Sequence, residues 1–177
     1  MLEDGVKMNM LFYGSAGIGK TTTAKALCHQ FNHNTLYING STENSIDVVR
    51  NKISEFAMNQ SILHYDNPIK VVLIDEADFL TQNAQSGLRA TIEQYASNTR
   101  FLLTCNYPEK ISDPIKSRFQ MIDFNFTADE MIEIKKGLFK RIIEICNKEG
   151  MSITKEASLK MVQTYYPDFR SIINHLQ

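Results

Sequence analysis

Short apolar runs alternate with segments of helical periodicity up to about residue 126. The runs have the length of β-strands and lie at 8–13, 35–39, 70–74, 100–104 and 120–124. Helical spacing is found at 21–31, 46–58 and 84–96, and a short turn is expected at 114–117. Strands that alternate with helices indicate βαβ units and a parallel sheet. The segment 71–74 is apolar without alternation, as in a central strand buried on both faces.

The pattern changes after Phe126, where no further strand is predicted. Three helices are expected here, at about 127–147, 154–164 and 167–177. The first begins with a capping-box sequence, in which Thr127 is followed three residues later by Glu130. The sequence therefore predicts an α/β layer over residues 1–126 and a small helical domain over 127–177.

Composition and charge narrow the function classes only slightly. Of the 177 residues 43% are hydrophobic and 22% charged, as in an ordinary globular domain, and the net charge of −1 gives no overall attraction to nucleic acid or anionic lipid. The cysteines, Cys28, Cys105 and Cys146, are too far apart in sequence for a metal motif, so we expect buried thiols in a reducing compartment. No apolar run has the length of a membrane span, and the N-terminus has no signal-peptide pattern. We therefore expect a cytoplasmic protein without membrane partners, in the host cytoplasm if the chain is virus-encoded.

A phosphate-binding loop is predicted between the first strand and the first helix. Residues 14–21 read Gly-Ser-Ala-Gly-Ile-Gly-Lys-Thr and match GxxxxGK[ST] in the strand–loop–helix context that this motif requires. Inward-pointing amides and the helix N-terminus suit phosphate, Lys20 is expected at the β- and γ-phosphates, and Thr21 is expected at Mg²⁺. The residues predicted to bind ATP here are Gly14, Ser15, Ala16, Gly17, Ile18, Gly19, Lys20, Thr21 and Thr22. The competing interpretation is a glycine-rich turn with a chance lysine.

Two adjacent carboxylates follow the apolar strand that ends at Ile74. Asp75 stands at the strand end, where α/β sheets bind ligands, and is expected to bind ATP-associated Mg²⁺ mainly through water. Glu76 is placed to orient and polarise an attacking water. The competing interpretation of Glu76 is a solvent-exposed residue at the start of a helix. Asp78 is predicted to cap the following turn and not to act in catalysis.

Three further polar residues are candidates by position. Asn106 ends an apolar strand and is expected to face the γ-phosphate or the lytic water, although strand-end caps use asparagine too. Arg118 precedes the last strand and Arg170 lies in the first turn of the last helix. Guanidinium groups suit phosphate oxygens, but the spacing alone fits surface arginines equally well.

In the order of these features the chain resembles the AAA+ ATPases, and from Val48 to Phe124 it is similar to sliding-clamp-loader subunits. The likeness is to the small subunits of replication factor C and to the large subunit of tailed-phage clamp loaders. It is carried by residues 49–57, 73–78, 84–95, 98–101, 105–107, 115–118 and 168–170. The phosphate loop is common to many families, whereas the 88–107 segment and the Ser-Arg segment are typical of this one. The resemblance implies an AAA+ P-loop fold, with a five-stranded parallel sheet, flanking helices and a small all-helical lid.

The resemblance also implies roles for individual residues. Arg118 is expected to be an arginine finger that acts in trans on ATP bound to a neighbouring subunit. Arg170 is expected to contact the γ-phosphate of its own subunit from the lid. Asn106 is expected to sense the nucleotide. Together with Lys20 and Glu76, it is expected to be a catalytic residue.

Partners follow from the same resemblance. They are the other subunits of a hetero-pentamer, a ring-shaped sliding clamp facing residues 56–63, and primer–template DNA. Helix starts near Ser41 and Ser86 are expected to line the DNA path, where backbone amides bind phosphates without net positive charge.

The sequence departs from the family at three places. It begins a few residues before the first strand, so the adenine pocket is expected to be incomplete, and it ends at Gln177, where the family continues into a helical collar. The family's Ser-Arg-Cys reads Ser-Arg-Phe here, with Phe119 beside the finger. A fragment, a shortened homologue and one piece of a split gene all remain open.

The leading hypothesis is an ATPase subunit that opens the polymerase clamp and loads it on primer–template DNA during replication. The alternatives are a related AAA+ machine, such as a helicase loader or repair ATPase, and a nucleotide-binding structural module that is inactive alone. A small-molecule P-loop kinase is least favoured, because nothing resembles a site for a phosphate acceptor.

Overall fold

The structure is a computed structural model that describes residues 5–59 and 67–176. The strands are β1 Met10–Tyr13, β2 His33–Asn39, β3 Asn67–Asp75, β4 Thr99–Cys105 and β5 Gln120–Asp123. The helices are α1 Lys20–Gln30, α2 Ile46–Met58, α3 Gln82–Gln94, α4 Asp113–Lys116, α5 Ala128–Lys148, α6 Lys155–Tyr165 and α7 Phe169–Asn174. Short 3₁₀ turns follow β3 at Ala77–Phe79 and β4 at Pro108–Lys110. Among the described residues, no helix combines the length and the apolar character that crossing a membrane requires.

The chain forms two compact units, which are described one at a time. The first consists of the described residues up to Gly14 together with Lys20–Asp123. The second combines the loop Ser15–Gly19 with the described residues from Phe124 onward.

The first unit is built on a five-stranded parallel sheet with the order β2-β3-β4-β1-β5. Because side chains alternate along a strand, Val72 and Ile74 point to one face of β3, and Leu73 and Asp75 point to the other. The first face forms the main core with apolar side chains of α2 and α3, including Ile53. Helix α1 packs against β2, β3 and β4. β3 is therefore covered on both faces, as its unbroken apolar run predicts.

The described part of the second unit is helical after Phe124. Four fully or nearly buried side chains from α5, α6 and α7 form its core: Ile142, Cys146, Val162 and Ile172. Each helix begins with a side-chain cap, at Thr127, Thr154 and Asp168 respectively. The capping box is present, since Thr127 accepts from the Glu130 amide while the Glu130 carboxylate accepts from the Thr127 amide.

The predicted fold class, a five-stranded parallel sheet with flanking helices followed by a helical domain, is confirmed. The helix predicted at 46–58 is confirmed as α2, and Ser45 before it has the extended backbone of an N-cap residue. The helix predicted at 84–96 runs from Gln82 to Gln94, because Thr81 is its N-cap. Ser41 and Ser86, near which helix starts were expected to line a DNA path, lie before α2 and within α3. The last helix ends at Asn174 and does not continue to the C-terminus.

The predicted clamp-facing segment is described only in part. Phe56 lies in α2, whereas residues 60–63 lie outside the described residues.

The three cysteines are buried free thiols, as expected. Burial raises the pKa of the Cys28 thiol. Burial, and next the Asp78 carboxylate, raise the pKa of Cys105 to about 12. Since the thiolate is the reactive form, both side chains are unreactive packing residues at neutral pH.

Replacing Thr127 by Ala should remove the N-cap of α5 and lower the free energy of unfolding of the helical domain by about 1 kcal/mol. Urea denaturation followed by circular dichroism measures the change. Thr127→Ser keeps the hydroxyl acceptor and is the matched control. Equal stability of the Ala and Ser variants would contradict the cap assignment.

Candidate active site

Asp75, at the end of β3, is the centre of a hydroxyl cluster. Its side chain is only 8% exposed. Oδ1 accepts hydrogen bonds from Thr21 Oγ1 at 2.6 Å and Thr104 Oγ1 at 2.5 Å, and Oδ2 accepts from the Tyr37 hydroxyl at 2.9 Å. A buried carboxylate is costly unless its oxygens are hydrogen-bonded, and these three donors satisfy it.

The sheet register explains why the donors meet. Tyr37 is paired with Leu73, and side chains two residues apart on a strand share a face, so Tyr37 and Asp75 emerge on the same side. Thr104 follows Leu103, the register partner of Ile74, and so lies beside Asp75. Burial, and next the hydrogen bond to Asp75, raise the pKa of Tyr37 to about 12, so the phenol is a protonated donor at neutral pH.

Lys20 is the second buried charge of this edge, at 7% exposed. Its ammonium donates to Gly14 O at 2.9 Å and to Asn106 Oδ1 at 2.8 Å. Both acceptors are neutral, so the positive charge of Lys20 is hydrogen-bonded without being cancelled by these contacts. A phosphate anion suits this arrangement, because hydrogen bonds from an ammonium to a phosphate oxygen are charge-assisted.

Asp78 does not cap the following turn, and that prediction is wrong. Its Oδ2 accepts from the backbone amides of Asn106 and Tyr107, each at 3.3 Å, while Thr81 caps α3. Oδ1 of Asp78 is buried and has no hydrogen-bond partner in the part of the chain that the structure describes. Asp78 thus fixes the backbone that carries the Asn106 side chain toward Lys20.

Glu76 adopts a left-handed backbone conformation, with φ of 54° and ψ of 45°. Non-glycine residues rarely adopt it, and it typically costs about 1–3 kcal/mol where surrounding structure imposes it. Here its amide donates to Thr104 Oγ1 at 3.1 Å, and a Cβ on Gly40 would stand 2.6 Å from its carbonyl oxygen. The sharp turn brings the half-buried Glu76 off the line of β3 directly beside Asp75.

Arg118 is paired within its own unit. Its Nε donates to Glu93 Oε1 at 3.0 Å, its Nη2 contacts the same carboxylate, and its Nη1 donates to Pro114 O and Ser117 Oγ. Hydrogen bonds from Arg118 hold the pKa of the exposed Glu93 carboxyl below its usual value. The guanidinium is therefore oriented by acceptors of its own unit.

In the second unit, the loop Ser15–Gly19 contacts the start of α7. Gly17 has φ of 76°, which side chains rarely allow, and a Cβ on it would lie 1.9 Å from Asp168 Oδ1. Both the backbone angle and the lack of space therefore require glycine here. Its carbonyl accepts from the Phe169 amide at 3.1 Å. Ser15 donates through its amide and hydroxyl to Asn125 Oδ1. Around Gly19, at φ of 98°, a Cβ would meet nothing within 4 Å.

The remaining predicted residues differ in exposure. Ala16 is exposed and Ile18 is buried in the loop, and Thr22 is exposed on α1. Arg170 is exposed in the first turn of α7, in the same unit as the loop. The structure thus brings Lys20 together with Asn106, and Thr21 with Asp75.

The residues present fit a nucleotide with Mg²⁺. Magnesium prefers oxygen ligands, and it takes one or two carboxylates while it keeps several waters. The Thr21 hydroxyl and the Asp75 carboxylate provide oxygens of this kind. A cluster of three or more His, Cys, Asp or Glu side chains, as a zinc site requires, is not found among the described residues. Positive-φ glycines and open space at Gly19 suit backbone amides that surround phosphate oxygens.

Sequence reasoning missed Thr104 and Tyr37 as parts of the site. Thr104 is only 2% exposed, and the signal available in the sequence was a polar residue within the apolar segment 101–105. Tyr37 gave no signal, because aromatic residues are common in strands. Only the pairing of β2 with β3 shows that its hydroxyl reaches Asp75.

Comparison with known proteins places these features in a family. Residues 10–126 match the family described as "ATPase family associated with various cellular activities (AAA)". The chain belongs to the AAA family of ATPases. Residues 130–177 of this AAA ATPase match the "Sliding-clamp-loader large subunit, AAA+ ATPase lid domain". Membership in the family implies nucleotide binding, and the expected resemblance to clamp-loader ATPases is confirmed.

Curated relatives and solved structures agree with this assignment. The AAA ATPase is 41% identical over 174 residues to the replication factor C small subunit of Archaeoglobus fulgidus, covering 96% of this chain and 52% of that protein. It is 38% identical to replication factor C subunit 4 of Arabidopsis thaliana, with the same coverage of 96% and 52%. It therefore spans about half the length of these relatives. The Thermotoga maritima RuvB Holliday junction branch migration motor shares the fold, with a TM-score of 0.74 at 18% identity over 96% of this chain and 53% of that one.

Thr104→Val should remove one donor from Asp75 and the acceptor of the Glu76 amide while keeping the side-chain shape. Leaving these buried groups without partners should lower the free energy of unfolding by about 1–3 kcal/mol. Chemical denaturation measures the change, with Thr104→Ser as the variant that retains the hydroxyl. A Val variant as stable as the unchanged chain would refute the described bonding.

Proposed function

We propose that this AAA ATPase is a subunit of a sliding clamp loader that uses ATP binding and hydrolysis to open the polymerase clamp and load it on primer–template DNA. The observation that carries the proposal is the match of residues 130–177 to a clamp-loader lid domain behind an AAA match at 10–126. These matches also support our division into an ATPase core at 1–126 and a lid at 127–177.

The site geometry supports hydrolysis. Lys20 is the buried cation for the β- and γ-phosphates, and it would exchange Gly14 O and Asn106 for phosphate oxygens. Thr21 and Asp75 would hold Mg²⁺, which would neutralise phosphate charge when bound. The loop residues from Gly14 to Gly19, with Thr22, would complete the phosphate cradle.

Glu76 and Asn106 are assigned to the attacking water. Glu76 follows Asp75 in a left-handed turn, and its carboxylate would accept a proton from the attacking water and orient it. Asn106 accepts a hydrogen bond from the Lys20 ammonium. Binding of a γ-phosphate to Lys20 would therefore alter the contacts of the Asn106 amide, which would make Asn106 a sensor of the nucleotide. Asp78 holds its backbone.

The arginines are assigned to assembly and sensing. Arg118 would leave Glu93 and reach the phosphate bound by a neighbouring subunit, an exchange that is easy because solvent-exposed ion pairs are weak. Arg170 would contact the γ-phosphate of its own subunit. Other loader subunits, the clamp and primer–template DNA are the proposed partners, and the cytoplasm is the proposed compartment. A phage source stays a prediction, since the relatives described above are archaeal and plant proteins.

A second candidate is a nucleotide-binding structural module of another AAA+ assembly that does not turn over ATP. It is favoured by the pairing of Arg118 with Glu93, which occupies the guanidinium in the single chain. It is disfavoured by the retention of Glu76 beside a fully hydrogen-bonded Asp75, since a module that only binds nucleotide has no need of a general base.

Glu76→Gln should leave ATP affinity unchanged and lower turnover by about 10²–10⁴-fold, because the amide cannot accept a proton from water. Equilibrium binding of a fluorescent ATP analogue and steady-state phosphate release measure the two effects. A parallel loss of binding and turnover would remove Glu76 from the role of base.

ATP turnover should rise only when candidate clamp, primer–template DNA and partner subunits are all present. In that assembly Arg118→Ala should lower turnover by about 10³–10⁵-fold, the worth of an arginine finger, while ATP affinity of the isolated chain is unchanged. Arg141→Ala, which removes an exposed arginine paired with Glu144 in the lid, is the control. Retained ATP binding without any stimulation would favour the structural module.

A further inference from the structure

Tyr37 extends the candidate site to the edge strand β2. Its hydroxyl donates to Asp75 Oδ2 at 2.9 Å, on the opposite carboxylate oxygen from the one used by Thr21 and Thr104. We propose that Tyr37 is a positioning residue that fixes the Asp75 carboxylate for Mg²⁺-dependent nucleotide binding. The proposal rests on the assignment of Asp75 to Mg²⁺ in the proposed function.

The two carboxylate oxygens have different constraints. Two threonine hydroxyls donate to Oδ1, and the carboxylate keeps a small torsional range about its Cβ–Cγ bond because hydrogen bonds bend and stretch. The Tyr37 hydroxyl donates to the other oxygen and so narrows that range. This matters because a water-mediated contact to Mg²⁺ requires a carboxylate oxygen at a defined position and direction.

Tyr37 is itself held from outside the core. The ammonium of Lys25, on α1, lies 4.3 Å from the centre of the Tyr37 ring, a favourable cation–π distance. The side chain is 40% exposed, and its ring borders a cavity of about 670 Å³ that Lys25 also lines. The ring position thus depends on the register of β2 against β3 and on Lys25, so a Phe at this position keeps the ring contacts and loses only the hydroxyl.

Two effects of the phenol oppose each other. As a donor it withdraws charge from Asp75, which weakens attraction to the metal, and as an anchor it removes rotational freedom, which favours ordered binding. The ordering effect prevails. Asp75 is buried, with only 8% of its surface exposed, and two threonine hydroxyls already donate to it. A third donor therefore changes the charge of the carboxylate little, while it narrows the range of its orientations. Outer-shell contacts are worth about 10–100-fold in metal affinity, and for a water-mediated ligand we expect the lower end, about tenfold.

The test is Tyr37→Phe in the full chain, read out as binding of a fluorescent ATP analogue during a Mg²⁺ titration. The Mg²⁺ midpoint should rise by about tenfold, excess Mg²⁺ should restore full binding, and binding in EDTA should match that of the unchanged chain. Tyr95→Phe removes a hydroxyl at the end of α3, where it accepts from Gln94, and should shift nothing. Thermal unfolding verifies that both variants are folded.

The outcomes separate this proposal from the one it rests on. An unchanged or lowered Mg²⁺ midpoint in Tyr37→Phe, or an equal loss of binding with Mg²⁺ and with EDTA, overturns the role of Tyr37. If the unchanged chain binds the ATP analogue without any dependence on Mg²⁺, the assignment of Asp75 itself fails, and the positioning role fails with it.

Discussion

The buried carboxylate of Asp75 is the constraint on which the arrangement of this edge of the sheet depends. A charge at this depth is tolerated only when its oxygens are hydrogen-bonded, and the donors come from α1, β2 and β4. Each donor is separated from Asp75 by a long stretch of sequence, so none can be supplied by local structure. The order β2-β3-β4, with parallel pairing, brings Tyr37 and Thr104 to Asp75, and α1, which packs on these strands, brings Thr21.

The same cluster transmits its geometry to the residues that follow β3 and β4. Thr104 donates to Asp75 and also accepts from the Glu76 amide, so the left-handed turn at Glu76 is coupled to the carboxylate beside it. Asp78, one turn later, binds the amide of Asn106 and thereby sets its side chain against Lys20. Strain at Glu76 is offset by these contacts, which is how functional sites usually retain unfavourable backbone angles.

Much of this was accessible from sequence because it is local. Apolar runs gave the five strands, the Thr127–Glu130 spacing gave the capping box, and the glycine pattern gave the loop. What escaped is nonlocal. A tyrosine in a strand carries no mark of a partner on the next strand, so Tyr37 could not be assigned before β2 was seen beside β3. Asp78 resembled a cap because caps use aspartate, and only the adjacency of the turns after β3 and β4 shows that it serves Asn106. Helix α3 begins at Gln82, two residues before the predicted start, because the Thr81 hydroxyl caps it.

The pairing of Arg118 with Glu93 bears on how an assembled enzyme would differ from the single chain. All three guanidinium nitrogens are engaged by acceptors of the same unit, so the side chain has a defined direction before any neighbour is present. Because the pair is solvent-exposed, its strength is limited, and a phosphate group offers the guanidinium the same kind of bidentate oxygen acceptor as a carboxylate. Under the proposed function, Glu93 would therefore be a temporary counter-ion for Arg118. The neighbouring subunit would gain its arginine finger when Arg118 exchanged Glu93 for the phosphate of a bound nucleotide.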